Sequence, residues 1–123
     1  MIERDRKRVY DSGVLLDRES QVVLVQRKLS EKPPLQNGER VDAVVTELGK
    51  AAILICGDLF HTKAIVQLSD DLDWILVPMA RAFAGQSPDK HCWELEERAE
   101  YVKSVKTTSK TAFLGNALDE RFA

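Results

Sequence analysis

A chain of 123 residues that is 44% hydrophobic and 31% charged, with six glycines and four prolines, has the makeup of one globular domain. Its net charge of −2 withholds the basic surface that phosphate backbones require, so nucleic acid is not an expected partner. No apolar run approaches the ~18 residues of a membrane span, and the start MIERDRKRVY mixes acids with bases instead of forming a secretory signal; the expectation is a cytoplasmic protein without a membrane partner, its Cys56 and Cys92 free thiols.

In chain order, Met1 to Arg8 is charged apart from its first two residues and reads as a frayed or helical solvated leader. Two aliphatic runs, Ser12 to Leu16 and Gln21 to Gln26, flank Asp17-Arg18-Glu19-Ser20 and predict an antiparallel hairpin, with Lys28 just past its second strand. Leu29 to Arg40 holds Pro33, Pro34, Asn37 and Gly38, which break either periodicity and force a surface loop. Val41 to Thr46 predicts a third strand, and Leu48-Gly49-Lys50 turns it into a fourth, the apolar run Ala51 to Ile55 that ends on Cys56. His61 to Leu68 has the one-sided spacing of a short helix; Asp73 to Pro78 is another buried strand. Met79 to Asp89, with Gly85 and Pro88, predicts an irregular segment across the strand ends. Ser87 or Asp89 would cap an amphipathic helix through Trp93, Leu95, Ala99, Val102 and Val105, and Thr111 to Asn116 predicts a last strand.

Strand, cysteine, helix and strand in that order make a βαβ unit, and ligands in open α/β sheets collect at the carboxyl ends of strands, where Cys56 would stand. A cysteine there is often a small packed hydrophobe, and a lysine at a strand end is often merely solvated. Here Gly57 and Asp58 follow Cys56 directly, and a turn at that point leaves backbone N–H groups to face a developing oxyanion, while Lys28 can bring a positive charge to the thiol. Trp74, Met79, Arg81 and Phe83 are candidates for the pocket wall. His61 reads as a polar residue near the pocket or at the helix start. His91 and Cys92 are adjacent, so they do not face one metal from a helix; with two histidines in the chain neither a metal nor a cofactor is expected.

These segments together resemble the nitrilase, or carbon-nitrogen hydrolase, superfamily, from about Tyr10 to Phe83 and more loosely from Trp93 to Asn116. YDSGVLLDRESQVVLVQRK is similar to the hairpin that delivers the family's catalytic lysine, here Lys28. GKAAILICGDLF is similar to its nucleophile strand, which ends in cysteine, any residue and an acid, here Cys56, Gly57 and Asp58; LDWILVPMA resembles the strand that follows the nucleophile helix. The resemblance implies that Cys56 attacks an amide or nitrile carbon, that Lys28 and the N–H near Gly57 stabilise the tetrahedral state, and that a thioester awaits water. It implies a further acid in the loop after the lysine, for which Glu31 and Glu39 are candidates, with Gln36 near the same spot. The family's glutamate base, on a strand well before the lysine hairpin, has no counterpart in these residues, since only Glu3 precedes the hairpin.

The fold implied is α/β, the later part of a four-layer αββα sandwich with a mixed sheet and two main helices, as a single, incomplete domain over residues 1–123. Such a part would expose apolar faces and strand edges, so a homo-oligomer or a missing N-terminal partner is expected. The competing reading is a catalytically inactive hydrolase-like module that serves binding or assembly.

Overall fold

The computed structural model describes residues 1–79 and 97–116. The charged leader is itself a strand, contrary to the expectation of a frayed or helical start. β1 (Ile2–Asp5) pairs antiparallel with β2 (Arg8–Leu16), with Ile2 opposite Asp11 and Asp5 opposite Arg8. Its acids face partners that lie far along the chain. Arg27 donates to Glu3 Oε1 at 2.5 Å and to Asp5 Oδ2 at 3.2 Å, Ser12 Oγ donates to Glu3 Oε2 at 2.6 Å, and the Arg27 guanidinium lies 3.9 Å from the Tyr10 ring centroid.

β2 continues into β3 (Val22–Arg27) through the predicted hairpin, in a register that sets Ser12 opposite Arg27 and Val14 opposite Val25. Asp17 builds the turn: its Oδ1 accepts the N–H groups of Glu19 at 2.9 Å and Gln21 at 2.8 Å. The proline loop then folds back on the strand it leaves, where the Gly38 N–H donates to the Lys28 carbonyl at 2.7 Å.

A second sheet has the order β4-β5-β6-β7. β4 (Ala43–Thr46) and β5 (Gly49–Ile53) are antiparallel; β6 (Trp74–Met79) and β7 (Thr111–Asn116) add in parallel. Between β5 and β6 the chain makes a 3-10 helix, Cys56–Phe60, and a single α-turn, α1 (Thr62–Ile65), so the expected βαβ unit is present with a shorter helix than the spacing of 61–68 predicts. The helix tapers because Gln67 and Leu68 already bond to carbonyls three residues back, at 3.2 and 3.1 Å. His61 stands at the start of α1, where its carbonyl accepts the Ala64 N–H at 2.8 Å. α2 (Arg98–Thr108) ends at Ser109 in the left-handed conformation, φ 54°. The predicted cap at Ser87 or Asp89 and the helical positions Trp93 and Leu95 lie outside the described residues.

Strand alternation assigns the core to two layers. Ala52 on β5, Leu54 just past its end, and Ile75, Val77 and Met79 on β6 pack with Leu29, Leu59, Ala64, Leu72 and Tyr101 beneath the helices. On the opposite face Ile53 and Ile55 meet Leu24 of the first sheet, with Leu15, Val44 and Leu76 around them. The stack is therefore antiparallel sheet, mixed sheet and helices, three layers with two apolar seams. Among the described residues no helix is long and apolar enough to cross a membrane.

Candidate active site

Cys56 leaves the carboxyl end of the β5 run at φ 48°, a left-handed conformation that a side chain adopts only when its surroundings hold it there. Gly57 follows, and a Cβ built on it would stand 3.2 Å from Ser30 Oγ, so the loop after Lys28 presses close against this turn. The Ser30 hydroxyl is buried there without a hydrogen-bond partner. Cys56 is a free thiol, partly exposed.

Lys28 reaches the same place from the first sheet. Its N–H donates to the Asp11 carbonyl at 2.8 Å, extending the β2–β3 ladder by one step beyond Ser12 and Arg27. Lys28 and Cys56 line one cavity of about 710 Å³ with Asp11, Ser12 and Gly13 of β2 and Val77, Pro78 and Met79 of β6. Burial draws the Lys28 ammonium down, but its hydrogen bond to Glu31 and the charges of Glu31, Cys56 and Asp11 outweigh that, so its pKa lies above the ordinary lysine value. Glu31 responds in kind. Burial pushes its carboxyl up, while the 2.9 Å bond from Lys28 Nζ, the Lys32 N–H and both lysine charges bring it below the usual carboxylate range.

Asp58 occupies neither the cavity wall nor solvent. It is fully buried, and its carboxylate accepts the N–H groups of Leu29 (3.0 Å to Oδ1, 3.2 Å to Oδ2), Ser30 (2.9 Å) and Ile55 (3.3 Å), while its own N–H donates to the Ile55 carbonyl at 3.0 Å. Contrary to the expectation that Asp58 joins Gly57 among the oxyanion and pocket residues, its N–H is taken by Ile55 and its carboxylate by donors up to 29 residues away, which sequence spacing does not reveal.

The remaining candidates divide. Met79 is in the wall, 6% exposed; Glu31 bonds Lys28 but, like the exposed Glu39, lines a separate polar groove with Arg40 and Asp42. Trp74 is not in the wall, contrary to expectation. β5 and β6 are parallel, so Cys56 neighbours the far end of β6, and five residues at ~3.3 Å each carry Trp74 roughly 16 Å away. There its indole donates to the Leu48 carbonyl at 2.9 Å. Arg81, Phe83, His91 and Cys92 lie outside the described residues. Among those described, no cluster of His, Cys, Asp or Glu has the arrangement to hold a metal.

No family model and no curated protein matches this chain. Solved structures do. Nit3 of Saccharomyces cerevisiae, a member of branch 10 of the nitrilase superfamily, matches with a TM-score of 0.73 at 17% identity, over 94% of this chain and 42% of its own. A glutamine-dependent NAD+ synthetase from Acinetobacter baumannii matches at 0.66 and 20% identity, over 95% of this chain and 23% of its own. An amidase from Nesterenkonia sp. matches at 0.64 and 15%, over 89% and 40%. The chain thus has the nitrilase-superfamily fold, and it spans less than half the length of each of these structures.

Proposed function

We propose that this chain carries the nucleophile and the lysine of a cysteine-dependent carbon–nitrogen hydrolase acting on a small amide or nitrile. For an amide, Cys56 Sγ adds to the carbonyl carbon, and the oxyanion that forms is met by the Lys28 ammonium and the N–H at Gly57. Collapse breaks the C–N bond, nitrogen leaves as ammonia or amine with the proton the thiol gave up, and water then cleaves the thioester to the acid. The observation that supports this reading is the shared cavity: a cysteine on a left-handed turn and a lysine from another sheet line it together, and the lysine's proton affinity is raised in part by the cysteine.

Site-resolved alkylation of Cys56 by iodoacetamide tests it. Lys28→Met is expected to slow alkylation at pH 7 by about tenfold, because the thiolate loses its nearby cation. An unchanged rate, together with no acyl adduct on Cys56 by mass spectrometry after incubation with simple amides, would defeat the proposal.

A second reading, a module for assembly, draws on a different observation. Val23 and Val25 point away from the Leu24 side of β3 and are 36% and 44% exposed, and Leu16 and Val22 beside them are more so. An aliphatic strip of that kind suits a second copy of the chain or a protein partner. Both readings hold if the hydrolase site is complete only in an assembly.

A further inference from the structure

We infer that Asp58 is a positioning residue that sets the distance between Lys28 and Cys56, an inference that rests on the nucleophile–lysine reading above. The need for such a residue follows from the topology. Lys28 follows β3 in the first sheet and Cys56 follows β5 in the second, and among the described residues no ladder joins the two sheets. Beside the site, what lies between them is apolar packing, Leu24 against Ile53 and Ile55. The bonds of Gln26 with the Arg40 carbonyl and the Asp42 N–H, and of Arg18 with Glu47, tie the first sheet to the ends of β4, away from the turn at Cys56. Packing of that kind is non-directional and tolerates sliding, whereas an oxyanion must be met by donors placed within a few tenths of an ångström.

Asp58 supplies the directional element at the turn itself. Its carboxylate holds the two N–H groups that come immediately after Lys28, at Leu29 and Ser30, and the one that comes immediately before Cys56, at Ile55. One rigid side chain thus fixes the residue after the lysine to the residue before the nucleophile. Its own N–H closes the turn on the Ile55 carbonyl, which fixes the backbone from which the carboxylate projects. These are bonds from backbone N–H groups to a carboxylate acceptor in a fully buried setting, where geometry is held tightly. A buried acid serving stability alone would have no reason to connect these two points in particular, and the two roles separate experimentally.

The test is a double-mutant cycle read by the alkylation rate of Cys56 in the full chain, with Asp58→Asn, Lys28→Met and the pair, each checked for native near-ultraviolet circular dichroism. Asparagine keeps the size and one oxygen but turns an amide NH2 toward backbone donors. With Asp58 intact, Lys28→Met slows alkylation by about tenfold; in the Asp58→Asn background it slows it by less than about twofold, because the lysine is no longer held in place. An undiminished lysine effect in that background overturns the inference while leaving the nucleophile reading intact. No lysine effect even with Asp58 present overturns the inference, and if Cys56 also forms no acyl adduct with simple amides the nucleophile reading falls with it. Should Asp58→Asn fail to fold, amide hydrogen exchange in the unaltered protein decides: Leu29, Ser30 and Ile55 are expected to exchange slowly and at one common rate, and rapid exchange at Leu29 and Ser30 overturns the inference.

Discussion

Lys28 and Glu31 form the most enclosed ion pair among the described residues, with side chains 15% and 16% exposed. Since burial alone would lower the lysine, Glu31→Gln removes the main opposing influence and is expected to lower the pKa of Lys28; the pH at which Lys28 ceases to assist Cys56 alkylation moves down accordingly. The stability effect has a definite sign. The raised lysine contributes fully below about pH 10 and loses its contribution as pH climbs through its folded value; the depressed glutamate contributes above about pH 4 and loses it as pH falls through its folded value. Urea titrations should therefore show Glu31→Gln about 1–3 kcal/mol less stable at neutral pH, a gap that closes in acid. The sequence offered Glu31 and Glu39 equally, because spacing in a proline-containing loop does not say which acid turns back; in the fold it is Glu31 that bonds Lys28. Arg27 was opaque for the same reason, as its partners Glu3 and Asp5 lie more than twenty residues away.

Among the elements, the strands were the most legible. Alternation and β-branching located the hairpin, β4, β5, β6 and β7 to within a few residues, and the apolar run into Cys56 marked the central strand. β1 escaped because its signal is charge, and charge reads as solvent exposure until a cross-strand arginine is known. The turn into β5 illustrates a constraint that the sequence hints at and only geometry explains. Gly49 has φ 107°, and a Cβ there would lie 2.5 Å from Asp73 Oδ2, the same oxygen that accepts the Lys50 N–H at 2.7 Å. Gly49→Ala is expected to cost about 1–3 kcal/mol, from backbone strain and displacement of that carboxylate. Thermal denaturation measures it, and a variant as stable as the parent would show that the turn relaxes freely. The left-handed Cys56 had no sequence signal beyond the neighbouring glycine, since conformation at one residue is fixed by what packs around the turn.

For the molecule as a whole, the expected α/β architecture is present as three layers, and its first sheet turns an aliphatic outer face to solvent. If that face is an assembly surface, sedimentation of the parent chain should show species larger than the 13.9 kDa monomer at micromolar concentration. Val23→Lys with Val25→Lys should then shift the distribution to monomer without loss of secondary structure. A parent chain that remains monomeric and unfolds cooperatively removes the assembly proposal. Fold and function part company at one further point. The backbone of Cys56 occupies a region where a hydrogen in place of the CH2SH group would relieve roughly 1 kcal/mol of crowding. Breeding this protein for heat tolerance alone would therefore tend to reward glycine at that position, and a hardier descendant could emerge stripped of its sulfur.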